Sequence, residues 1–90
     1  MITLVWDAGF KRAYKKRISQ DRKMKERFWD ALELFVADPF ATELKTHALT
    51  GKLQGHHAFS VDSDCRVVFL FIKGHSQVLL IDIGTHDEVY

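Results

Sequence analysis

Cysteine is almost missing: Cys65 is the only one among 90 residues, which excludes an internal disulfide and a four-cysteine zinc site and points to a reducing compartment, the cytosol. Proline occurs once and glycine five times, too few for a collagen-like or low-complexity chain. No long apolar run is present; the longest, Val67 to Ile72, falls far short of the ~20 residues a bilayer span needs. The N-terminus lacks the apolar core of a signal peptide, so neither export nor membrane insertion is expected. Charge of one sign is also scarce. Thirteen Lys and Arg face twelve Asp and Glu, for a formal +1, which excludes coating a nucleic acid by net charge alone.

What remains is 47% hydrophobic and 28% charged residues, enough for one modest core and hence a single domain over residues 1–90. Ile2 to Trp6 is short and rich in β-formers, and Asp7 after it is a good helix N-cap, so a strand leads directly into a helix. Phe10, Ala13, Tyr14 and Ile18 follow helical spacing, while Lys11, Arg12, Lys15 and Lys16 point away from that stripe. Ser19 is read as the cap of a second helix, with Met24, Phe28, Ala31, Leu32 and Phe35 buried and Asp38-Pro39 ending it. From Phe40 to Gly55 no period emerges, so this stretch reads as a loop with at most one helical turn. Three strands follow in a meander, His56 to Val61, Cys65 to Ile72 and Gln77 to Ile83. Val67 to Ile72, apolar throughout, suits the middle of the sheet. The expected fold is α+β, β-α-α-β-β-β: a two-layer sandwich with the N-terminal strand and helix hairpin packed on one face of an antiparallel sheet.

The charge is lopsided. Residues 1–27 hold nine Lys or Arg against three acids, and the remaining 63 hold four against nine. A cationic helix pair suits contact with phosphate; an ordinary solvated face is the plain alternative.

All five histidines, His47, His56, His57, His75 and His86, lie in the second half, where acid/base work on a phosphodiester would need them. His56 and His57 are adjacent and face opposite sides in a strand, so they cannot jointly hold one metal ion. Asp64 and Arg66 flank Cys65 and are expected on one face. There a carboxylate can orient a histidine or take a proton and a guanidinium can hold a phosphate, or the two can simply close a hairpin. Gly84 ends the last strand and Thr85 caps a turn that puts His86 and Tyr90 on one side, as an acid beside a base-stacking ring or as a plain cover for the sheet end.

These elements and motifs together resemble the RelE/ParE superfamily of bacterial type II toxins, and within it the YafQ-like mRNA interferases. The resemblance covers nearly the whole chain. It is carried by His-Ala-Leu-Thr-Gly (His47 to Gly51), Asp-x-Asp-Cys-Arg-Val-Val-Phe (Asp62 to Phe69) and, most specifically, Ile-Gly-Thr-His-Asp-Glu-Val-Tyr (Ile83 to Tyr90). It implies a toxin acting in the bacterial cytoplasm that cleaves mRNA on the ribosome, by attack of a ribose 2′-OH on its own 3′ phosphate, with no metal and no cofactor. The implied roles are His86 as acid, His47 or Asp64 as base, Arg66 as charge stabiliser and Tyr90 as stacking contact, with Lys11, Arg12, Lys15 and Lys16 meeting ribosomal RNA. A cognate antitoxin is the implied partner. The chain departs from the YafQ-like pattern at Ser60, where a histidine is usual, and at Cys65, where a tryptophan is usual. Two other outcomes are compatible with the resemblance: a ParE-like gyrase poison, which needs no histidine constellation, or a degenerate toxin kept as an antitoxin-binding module.

Overall fold

The computed structural model describes residues 2–90. The chain begins with β1 (Thr3–Trp6), and Asp7 then turns it into α1 (Ala8–Arg17) by accepting from the Gly9 amide at 2.9 Å. A second helix, α2 (Arg22–Ala37), follows at once. Its N-cap is Asp21, whose carboxylate accepts from Met24 N at 3.1 Å, rather than Ser19. The Ser19 hydroxyl instead donates back to the Lys15 carbonyl, extending the end of α1.

The stretch after α2 holds more structure than a loop. Two short 3-10 turns, Thr42–Leu44 and Gly51–Leu53, flank a two-residue strand, β2 (His47–Ala48). The meander is β3 (His57–Asp62), β4 (Cys65–Ile72) and β5 (Gln77–Gly84), and one helical turn, α3 (His86–Val89), closes the described chain. The sheet therefore has five strands in the order β1-β5-β4-β3-β2, with β4 at its centre. The N-terminal strand joins the sheet itself and runs parallel to β5, whereas all other pairings are antiparallel. That parallel edge lets α1 start beside Leu80, where Asp7 N donates to the Leu80 carbonyl, and finish beside Ile83, contacted by Arg17.

One face of the sheet is sealed by the helices. Phe10, Phe28 and Phe35 from α1 and α2 form a single buried cluster with Phe59, Cys65, Val67, Phe69, Val78, Leu80 and Ile83 from the strands. Phe35 lies stacked on Phe59 with ring centroids 4.5 Å apart and edge-on to Phe69 at 4.9 Å. Alternation along β3 and β4 sends Ser60 and Arg66 to the opposite face. No described helix is long and apolar enough to cross a membrane.

Candidate active site

The face away from the helices is where the chemistry-bearing side chains collect. Ser60, Arg66 and Gly84 occupy one row across β3, β4 and β5. His47 pairs with Ala58, two residues before Ser60, so its side chain emerges on the same face. Two residues beyond Gly84, His86 starts α3, and its ring meets Tyr90 edge-on with centroids 4.6 Å apart. Tyr90 in turn shares a cleft of about 350 Å³ with His47, Leu49, Thr50, Lys52 and Leu53. Partial burial raises the Tyr90 phenol above its ordinary range, against the opposing pull of the Arg66 charge. Tyr90 thus meets the His86 ring, shares a cleft with His47 and lies within reach of the Arg66 charge.

Local hydrogen bonds fix how His47 presents itself. Its Nδ1 lies 2.9 Å from the Lys45 carbonyl, which only accepts, so Nδ1 carries the proton and donates. In the neutral ring Nε2 is then a free acceptor, and the exposed ring can offer it to solvent or substrate. Lys45 adopts a left-handed conformation (φ 51°) that ends the first 3-10 turn just before the strand carrying His47. Arg66 also borders a shallow cleft of about 320 Å³ with Lys45, Ser60 and Asp62.

Asp64 is placed differently from the sequence expectation. Strand β4 starts at Cys65, and Asp64 lies exposed in the turn before it, with its backbone N–H donating to Asp62 Oδ1 at 2.8 Å. Among the described residues its carboxylate makes no hydrogen bond or ion pair. Asp62 is the carboxylate that borders the cleft with Arg66, and it is engaged by Arg27 at 3.0 Å. The reason is the β-bulge between Ser60 and Asp62, which shifts the register as the hairpin turns.

His57 does not join the site. Its ring packs 5.0 Å from Phe71 and 5.7 Å from Phe69, and burial, reinforced by His75 and His47, lowers its pKa below the usual histidine value. The Cys65 thiol faces the helix side, where burial pushes its pKa up to about 12 and keeps it an inert core group. Lys11, Arg12, Lys15 and Lys16 are all exposed on α1. Lys16 is close enough to Glu88 of α3 to favour its charged form. The cationic stripe therefore runs toward the turn that holds His86 and Tyr90. Thr50 belongs to the His47 to Gly51 motif, but neither it nor Lys52 and Leu53 of the cleft could be placed from the sequence, because an irregular segment gives no period from which to read its facing.

The family model described as the bacterial toxin of type II toxin-antitoxin system, YafQ, matches residues 2–90. No curated protein matches the sequence significantly. Among solved structures, a YoeB/ParE toxin from Agrobacterium tumefaciens is similar at TM-score 0.78 and 22% identity, covering 94% of this chain and 99% of that one. YafQ from E. coli strain BL21(DE3) is similar at TM-score 0.79 and 15% identity, covering 100% of this chain and 99% of that one. The same coverage holds for the E. coli DinJ-YafQ complex, at TM-score 0.72 and 15% identity. The three share the fold of this chain.

Proposed function

This chain belongs to the YafQ family of toxins from bacterial type II toxin-antitoxin systems, and we propose that it is an mRNA endoribonuclease working on the ribosome. The reaction needs a base for the ribose 2′-OH, a cation for the charge that builds on the phosphorane, and an acid for the departing 5′ oxygen. His47, with Nε2 free to accept, is the base. Arg66 offers its fork of donors to the phosphate oxygens. His86, exposed at the start of α3, protonates the leaving oxygen, and Tyr90 stacks a base beside it. The scheme uses no metal or cofactor. The observation that carries this reading is the convergence of His47, Arg66 and His86 around Tyr90.

The exposed Lys11, Arg12, Lys15 and Lys16 supply the phosphate contacts to ribosomal RNA. The natural partner is a cognate antitoxin, in keeping with the DinJ-YafQ complex of E. coli. One feature favours a second reading, an antitoxin-binding module without catalysis: Ser60, not an imidazole, stands beside Arg66 in the row that faces the site.

A translation extract dosed with purified protein separates the two. Primer extension on a reporter message should show discrete new 5′ ends with the parent, reduced about 10²- to 10⁴-fold in rate by His86→Ala, the range for losing a general acid. A parent that leaves the message intact, still binds its antitoxin and does not inhibit gyrase in a DNA supercoiling assay would establish the second reading.

A further inference from the structure

We propose that Arg17, at the end of α1, is a positioning residue that clamps the C-terminal turn so that His86 and Tyr90 face the scissile phosphate; the inference rests on the nuclease reading above. The need for a clamp follows from the size of α3. It has four residues, none of them buried, so neither helix propagation nor packing holds it in place. A polar network does so instead. Arg17 Nη1 donates to the Ile83 carbonyl at 2.8 Å and to Asp82 Oδ1 at 3.2 Å, while its Nε lies 3.4 Å from Glu88 Oε2. One guanidinium therefore ties the end of β5 to the far side of the turn, a task its planar set of donors suits and a lysine ammonium does not.

Glu88 divides its two oxygens. Oε1 accepts from Thr85 N at 2.8 Å, Oε2 faces Arg17, and the Thr85 hydroxyl accepts from Glu88 N at 3.3 Å to complete a capping box. These interactions, the Thr85 amide first, hold the Glu88 carboxyl below its ordinary range. Gly84 is the keyhole of the network. A Cβ there would lie 2.7 Å from Glu88 Oε1 and 2.9 Å from Arg17 Nη1, so the clamp closes over a residue with no side chain. Unlike the exposed Lys15 and Lys16 beside it, Arg17 is partly buried and spends its charge within the molecule.

The test uses two variants that break the clamp from opposite sides, Arg17→Gln and Gly84→Ala, with Arg22→Gln as an equal-charge control. NMR of the protein alone reads the His86 ring resonances, which the Tyr90 ring displaces, and amide exchange at Glu88 to Tyr90. Both test variants should move the His86 ring signals toward their random-coil positions and lose protection at the turn, with β4 amides still protected; the control should match the parent. In message cleavage both should lower kcat about 10- to 100-fold with KM within about twofold, as expected when a reacting group is misplaced while substrate binding is kept. Arg17→Lys should recover part of that rate. Unmoved His86 signals in Arg17→Gln and Gly84→Ala would overturn the clamp. Failure of the parent to cleave would instead overturn the nuclease reading, leaving the NMR result to decide the clamp alone.

Discussion

His57 is one of the five histidines in the half of the chain where acid/base work would need them, yet in the fold its ring packs among aromatic side chains. Its Nδ1 is buried without a partner among the described residues, and its ring sits against Phe69 and Phe71. An apolar ring there removes an unsatisfied polar atom, so His57→Phe should stabilise the fold by about 1 kcal/mol at neutral pH, read by urea unfolding. Burial holds the folded pKa below the unfolded value of 6.5. The unfolded chain thus takes up a proton first as pH falls, and the stability due to neutral His57 is present above 6.5 and lost below it. The advantage of His57→Phe should accordingly widen between pH 7 and pH 5; a constant gap would mean the ring is not held neutral. His47 and His86 are legible in the sequence because their motifs resemble a family's, and Arg17 is not. Within a group of five cations on α1 nothing in the sequence marks the one that faces Asp82 and Glu88, 65 and 71 positions away.

At the scale of elements, long periodic segments are readable and short irregular ones are not. Of the apolar stripe read in α2, Phe28, Ala31, Leu32 and Phe35 are buried, while Met24 in the first turn is only partly buried against the core. Phe35 joins that helix to two strands through Phe59 and Phe69, so Phe35→Ala should lower the unfolding free energy by about 3–5 kcal/mol in a urea titration. A loss below about 1 kcal/mol would show that the helix layer is not what seals the sheet. By contrast, β2 has two residues and its flanking 3-10 turns three each, below the length at which any period shows. The cap of α2 falls two residues later than the sequence suggests, because Ser19 and Asp21 are both good caps and only Asp21 is spaced to reach Met24 N. The bulge in β3 that pairs Asp62 with Cys65 and leaves Asp64 in the turn has no sequence signature of its own.

For the whole molecule, the feature that matters is a charge distribution that the net value of +1 conceals. Of the nine cations in residues 1–27, Arg17, Arg22 and Arg27 are engaged by acids; of the other six, Lys23 and Lys25 lie exposed on α2, and Lys11, Arg12, Lys15 and Lys16 form a solvent-facing stripe on α1 that leads to the C-terminal turn. Neutralising those four should flatten the salt dependence of ribosome association, with a slope shallower by up to about one for each phosphate no longer neutralised. An unchanged slope would return α1 to an ordinary solvated face. The sheet presents the candidate site, the helices both seal its back and carry the charge, and the last turn holds His86 edge-on to Tyr90, which lines the cleft. If these groups direct a ribose 2′-OH onto its neighbouring phosphate, the cut ends carry the signature of that attack. Fragments of a reporter message cleaved in a translation extract should carry 5′-hydroxyls, resisting ligation until phosphorylated by a kinase. Ends that ligate at once, bearing 5′-phosphates, would contradict the account.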